Sequence, residues 1–193
     1  MQNKSQSNKT KIITIPNILS LFRIALIPVF IWTYYIKQQY LVTAGILILS
    51  GLTDTADGFI ARRFNMISDV GKALDPIADK LTQVAMLFCL INRFPQMIFP
   101  LVFLIVKETA TGAFSLVVIK KTGEVLGADW HGKVTTSLLY MMMIIHAVWY
   151  DISDTASKIL ILACIAMMLL SFVLYCVRNA KALKANEKPM HSL

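Results

Sequence analysis

Long uncharged runs set the pattern of this chain. Apolar residues dominate 18–36, interrupted by Arg23 alone among charged residues, and then 81–91, 97–106, 109–119, 134–150 and 159–177. Such runs suit bilayer spans of about 20 residues. Six can be drawn, over 16–36, 40–60, 73–91, 96–119, 133–150 and 156–178. No alternating barrel pattern is visible, and lipid cannot satisfy free backbone N–H and C=O groups, so each span must be helical. The pattern predicts an all-α integral membrane protein with six transmembrane helices. A short interfacial helix over 12–20 is expected ahead of the first span. One membrane domain accounts for residues 1–193, with mobile tails at about 1–10 and 180–193.

Composition agrees with that pattern. Apolar residues make up 56% of the chain and the mean hydropathy is +0.63, which excludes an ordinary soluble domain of this size. The net charge of +8 comes from 19 Lys and Arg against 11 Asp and Glu, and its placement is more telling than its sum. Lys4, Lys9, Lys11, Arg62, Arg63, Lys72, Lys120, Lys121, Lys133, Arg178, Lys181, Lys184 and Lys188 fall at one set of span ends; Lys37, Arg93 and Lys158 fall at the other. By the positive-inside rule both termini and the 61–72 loop face the cytoplasm of a bacterial-type plasma membrane. The basic charge needs no nucleic acid to explain it, and some of it attracts the anionic headgroups of membrane lipids.

The apolar run that follows the basic start is too long for a signal peptide and lacks a small-residue cleavage site, so the first span is retained. Cys89, Cys164 and Cys176 sit inside apolar spans without paired spacing and read as buried thiols, neither a disulfide framework nor a zinc site. His131, His146 and His191 have no metal-ligand spacing and read as bystanders. Met141, Met142 and Met143, with Trp32, Trp130 and Trp149, read as packing and interfacial-belt residues.

Charges near membrane depth are functional candidates, and one stretch concentrates them: DTADGFIARRFNMISDVGKALDPIADK, starting at Asp54. Asp54 and Asp57 close the second span, three residues apart; Asp75 and Asp79 open the third, four apart. Each pair lies on one helix face, and the short 61–72 connection makes the two helices antiparallel neighbours whose carboxylates converge. A set of helix caps would explain any one of these aspartates but not four in register. Four ionised carboxylates in one small site require compensating cations. The ligands are all oxygen, which favours two divalent metal ions, Mg²⁺ or Mn²⁺, over zinc. Two such ions suit a diphosphate, and the chemistry expected is phosphoryl transfer. Gly58, Ala61 and Gly71 allow close approach where a larger side chain would intrude. Arg62 is placed to pair with a phosphate, and Pro76 is expected near the first turn of the third helix.

The run Asp54-x-x-Asp57-Gly58-x-x-Ala61-Arg62, eight residues, Gly71-x-x-x-Asp75-x-x-x-Asp79 resembles the signature of the CDP-alcohol phosphotransferases, matching at every fixed position. The resemblance implies six transmembrane helices, a homodimer, and two metal ions held by Asp54, Asp57 and Asp75 with Asp79 completing the site. It further implies that Asp79 is the base for the acceptor hydroxyl, and that Gly58, Ala61, Arg62 and Gly71 surround the cytidine nucleotide. Three segments resemble the subgroup that joins CDP-diacylglycerol to glycerol 3-phosphate: IPNILSLFR with Pro16, Asn17 and Arg23; GKALDPIADK; and HGKVTT, with Lys133 but with Thr135 where a second Lys is usual.

An acceptor carrying its own phosphate needs further cations. Lys133 is the first choice, Lys107 the second because it lies with Glu108 inside the fourth span, and Arg23 the third. Lys107 has a rival reading as half of a structural ion pair. Asn17 and Arg23 could equally reach the nucleotide or anchor the first helix. Other acceptors on the same scaffold are inositol phosphate, serine and phosphatidylglycerol. A cation transporter is disfavoured because the aspartates cluster at one membrane face and not at the midplane, and a diaspartyl protease because no Gly-x-Gly-Asp element is present.

Overall fold

The protein is all-helical in a computed structural model. The structure describes residues 15–63, 69–123, 129–149 and 151–186, and for 15–16, 54–62, 69–73 and 185–186 among them it describes the backbone only. Among the described residues there are six α-helices: α1 Ile15–Tyr35, α2 Tyr40–Arg63, α3 Asp69–Ile91, α4 Ile98–Thr122, α5 Trp130–Val148 and α6 Asp154–Asn186. A single 3-10 turn, Pro95–Met97, precedes α4. Each helix coincides with one of the six spans drawn from the apolar pattern.

Three sequence expectations change. Residues 15–20 are the opening turns of α1 and not a separate interfacial helix. Pro16 is the second helical residue, where its missing N–H removes no helix bond; residues 12–14 lie outside the described residues. Pro76 sits two turns inside α3, because that helix begins at Asp69, so its ring removes an interior backbone bond. Residues 180–186, expected as part of a mobile tail, continue α6. Alanine, lysine and leucine dominate that stretch and are strong helix formers. With 33 residues, α6 is about 50 Å long, well beyond a bilayer core of about 30 Å.

Burial is inverted relative to a soluble protein. Arg23, Gln83, Lys107 and Asn179 are buried, whereas Ile36, Leu41, Leu52, Phe88, Phe99 and Leu162 are more than 60% exposed. An apolar coat of this extent is stable only against lipid. Asn17–Tyr35, Pro95–Thr122 and Asp154–Lys184 are long and apolar enough to cross a membrane. The chain is an integral membrane protein with helical spans.

Two compact units divide the chain. The first comprises Met1–Arg93 with Met143–Tyr150. Within it α1 packs against both α2 and α3, so among the described residues α1 is the partner those two helices share. Gln38, at φ 51°, turns the chain between α1 and α2, and the Thr33 carbonyl accepts the Gln39 N–H at 3.0 Å. The Thr33 and Thr43 hydroxyls meet at 3.0 Å. The same end gathers aromatic groups: the rings of Tyr34 and Tyr40 are 5.3 Å apart, and Arg93 lies 5.5 Å over Tyr40.

The second unit comprises Phe94–Met142 with Asp151–Leu193. Here α4 packs along α6, and the buried Asn179 donates to Ser115 Oγ at 3.3 Å. Gly123 ends α4 in the left-handed conformation at φ 72°, a backbone state open to glycine at little cost, and its N–H closes on Ile119 O at 2.8 Å. Cys89, Cys164 and Cys176 are free thiols.

Candidate functional site

The polar residues of α1 recur every third position: Asn17, Ser20 and Arg23. That spacing keeps them on one face of an otherwise apolar helix, and all three are buried, with Arg23 only 1% exposed. The polar residues of α3 recur every fourth position: Asp75, Asp79 and Gln83. The two stripes meet where α1 packs on α3. Ser20 Oγ donates a short hydrogen bond to Asp75 Oδ1, and Arg23 Nη2 lies 3.7 Å from the same oxygen. One turn further along α3, Gln83 Nε2 donates to Asp79 Oδ2 at 2.9 Å, with Lys80 Nζ 3.6 Å from that atom.

These contacts orient both carboxylates. Gln83 is fully buried, so its amide cannot trade Asp79 for water without desolvation loss. The described bonds engage Oδ1 of Asp75 and Oδ2 of Asp79. Two half-buried carboxylates one helical turn apart are hard-donor chemistry suited to Mg²⁺ or Mn²⁺. Among the described residues no three His, Cys, Asp or Glu side chains converge. Asp54, Asp57, Gly58, Ala61 and Arg62 occupy the last turns of α2 and Gly71 the first turn of α3; their side chains lie outside the described residues.

The acceptor candidates are placed as follows. Arg23 has its guanidinium against Asp75. Lys107, in the middle of α4, is 6% exposed and donates to Glu108 Oε1 at 2.8 Å, so its burial is compensated by a neighbouring carboxylate. Lys133 is exposed in the first turn of α5. Asn17 and Arg23 share the first unit with Asp75 and Asp79; Lys107 and Lys133 belong to the second.

Ser20 and Gln83 escaped the sequence reading. Neither is charged, and each is individually common in a helix. The signal that marks them is spacing: Ser20 stands between Asn17 and Arg23, and Gln83 extends the Asp75–Asp79 row by one more turn.

Residues 13–177 match the CDP-alcohol phosphatidyltransferase family, a span that runs through both units. The chain is similar to a CDP-diacylglycerol–glycerol-3-phosphate 3-phosphatidyltransferase of Bacillus subtilis, 35% identical over 136 residues, 63% of this chain and 70% of that relative. It is similar to the enzyme of the same name from Pectobacterium atrosepticum, 34% identical over 142 residues, 70% of this chain and 76% of the relative. A third of that name, from Rickettsia bellii, is 43% identical over 81 residues. That last match spans less than half of either protein, 41% of this chain and 45% of the relative.

Proposed function

The chain belongs to the CDP-alcohol phosphatidyltransferase family, and from that membership we propose that it joins CDP-diacylglycerol to glycerol 3-phosphate, giving phosphatidylglycerophosphate and CMP in phospholipid biosynthesis. The observation that carries this reading is the 34–35% identity to two glycerol-3-phosphate 3-phosphatidyltransferases over 70% and 76% of their lengths. In the reaction the acceptor hydroxyl oxygen bonds to the lipid-linked phosphorus, the P–O bond of the diphosphate breaks, and CMP leaves.

Asp54, Asp57, Asp75 and Asp79 would hold two divalent ions, Mg²⁺ or Mn²⁺, which when bound neutralise charge on the diphosphate and on departing CMP. Asp79 takes the proton of the acceptor hydroxyl. A carboxylate is a weak base for an alcohol, so orientation matters more than basicity, and the Gln83 amide supplies orientation at Oδ2. Gly58, Ala61, Arg62, Gly71 and Asn17 surround the cytidine nucleotide. Lys133 is the first candidate to hold the phosphate of glycerol 3-phosphate, with Lys107 and Arg23 as the alternatives. The six helices all span the membrane, both termini and the acidic cluster face the cytoplasm, and the protein works as a homodimer; the one-sided distribution of Lys and Arg supports the orientation.

The test is an acceptor panel. Purified protein receives labelled CDP-diacylglycerol with glycerol 3-phosphate, inositol phosphate, serine or phosphatidylglycerol, with and without EDTA. Phosphatidylglycerophosphate with stoichiometric CMP, formed only with glycerol 3-phosphate and lost on chelation, is the expected result. Product from another acceptor at a higher kcat/KM overturns the substrate assignment.

A further inference from the structure

The start of α5 carries a polar cluster that the chemistry above does not use. His131, which reads as a bystander from sequence, is 4% exposed. Its Nδ1 lies 3.0 Å from Ser171 Oγ on α6, and its Nε2 lies 3.2 Å from Asp129 Oδ2. With the proton on Nε2 shared with the carboxylate, Nδ1 accepts from the Ser171 hydroxyl. Arg178 Nη1 donates to that same Asp129 oxygen at 2.7 Å. Tyr175 fills the space between these groups: its ring meets His131 edge-on at 4.5 Å, Arg178 stacks 4.8 Å above it, and its hydroxyl accepts the Asp129 N–H at 3.4 Å.

The backbone is held as firmly as the side chains. The Asp129 carbonyl accepts the N–H groups of Gly132 and Lys133 at 3.1 and 3.4 Å, starting the helix. A Cβ on Gly132 would stand 2.5 Å from the Tyr175 hydroxyl, so any larger residue here must displace the tip of that side chain. One turn on, Thr135 Oγ1 donates to His131 O at 2.8 Å and approaches Met167 O on α6 at 3.4 Å. The face bearing His131 and Thr135 is therefore seated on α6, while Lys133, between them in sequence, remains exposed.

We propose that Asp129, His131, Ser171, Tyr175 and Arg178 are positioning residues: they lock the first turn of α5 onto α6 and so fix the backbone from which Lys133 presents its ammonium to the acceptor's phosphate. This rests on the assignment of Lys133 to that phosphate. The cluster joins two helices through a doubly engaged carboxylate and two ring contacts, and a lysine with a flexible four-carbon stem gains most from an anchored Cα.

The experiment compares steady-state kinetics of the full-length protein with Lys133→Ala, His131→Ala, Ser171→Ala and the double variant Lys133→Ala/His131→Ala. KM is measured separately for glycerol 3-phosphate and CDP-diacylglycerol, with detergent-solubilised melting curves alongside. Lys133→Ala is expected to raise the glycerol 3-phosphate KM about tenfold or more, and His131→Ala about three- to tenfold, each with the CDP-diacylglycerol KM unchanged. In the Lys133→Ala background, His131→Ala should add nothing, because two residues acting through one contact are not additive. Ser171→Ala, which removes one small hydroxyl, gives the same selective shift if His131→Ala does not fold. A Lys133→Ala effect accompanied by cluster variants that only lower the melting temperature, or that shift both KM values alike, overturns the positioning role and leaves the acceptor assignment standing. An unchanged glycerol 3-phosphate KM in Lys133→Ala overturns the acceptor assignment itself, and the positioning role with it.

Discussion

Two polar clusters lie inside an otherwise lipid-coated chain, and they are built differently. The α1/α3 cluster consists of two regular stripes, Asn17–Ser20–Arg23 and Asp75–Asp79–Gln83, each on one helix face. The α5/α6 cluster draws Asp129 from just outside α5 and pairs it with Arg178, 49 positions away, while His131 finds Ser171 at a separation of 40. In the first, Asp75 and Asp79 each accept a hydrogen bond from a neutral side chain, Ser20 and Gln83, with the cations Arg23 and Lys80 farther off at 3.7 and 3.6 Å. In the second, the carboxylate is already consumed by a guanidinium and an imidazole. The contrast separates a cluster arranged to bind from one arranged to hold.

The sharpest way to break this contrast is Asp79→Asn. The amide keeps the size of the side chain and loses the charge and the basic oxygen, so CMP release should fall by about 10²- to 10⁴-fold, the range associated with removing a general base. The melting temperature should change little, since the site gains rather than loses neutrality. Removal of divalent metal by EDTA should abolish turnover in the parent, with Mg²⁺ or Mn²⁺ restoring it. If Asp79→Asn retains activity within about threefold, the α3 stripe holds the fold in the way the α5/α6 cluster does, and the contrast disappears.

Ser20→Ala and Gln83→Leu sharpen it at the next level of effect. Each removes one hydrogen bond to a carboxylate, and bonds to charged groups are worth about 1.5–3 kcal/mol. Turnover should drop by roughly tenfold to a hundredfold on that scale. Titration with Mn²⁺ followed by electron paramagnetic resonance, without substrate, should show weaker binding in both variants. Unchanged binding and turnover would mean that the carboxylates need no such support.

The same contrast explains what was legible from sequence. The six spans drawn from the apolar pattern gave the helices because each is long, mostly apolar and separated from the next by polar residues. Asp75 and Asp79 stood out because ionised groups near membrane depth are expensive. Ser20 and Gln83 did not, since a neutral side chain in a helix is unremarked until its periodic partners are counted. The α5/α6 cluster was less legible again: Ser171, Tyr175 and Arg178 lie on one face of α6 at spacings of four and three, yet their role depends on Asp129 meeting them across a loop. Pro76 and the end of α6 were misplaced for a different reason. Hydropathy marks the portion of a helix in lipid, and helices continue beyond it into water wherever local propensity and capping allow.

A smaller effect is expected at Gly132. Gly132→Ala should raise the glycerol 3-phosphate KM about three- to tenfold by driving the Tyr175 ring from its place against His131 and Arg178. Adding Tyr175→Phe removes the hydroxyl that the new methyl group would strike, 2.5 Å away, and should recover most of the loss. Rescue of this kind distinguishes a steric registration of α5 on α6 from a general loss of helix stability, which a second substitution would only deepen. Failure of rescue, with both variants folded, would mean that the close approach of Tyr175 has no bearing on Lys133.

The smallest effect is expected where charge is most conspicuous. Asp154 and Lys158 form an ion pair one turn apart at the start of α6, and Gln96 donates to the other Asp154 oxygen at 2.8 Å. By distances alone this trio resembles the Asp129 cluster. The side chains of Lys158 and Asp154 are 57% and 65% exposed, however, so water and salt already compensate both charges and the pair contributes little beyond solvation. Lys158→Ala should leave CMP release and both KM values indistinguishable from the parent. A selective change in either KM would show that an exposed pair can do what the buried cluster does, and burial would no longer be the property that distinguishes polar groups with a task from polar groups that meet the solvent.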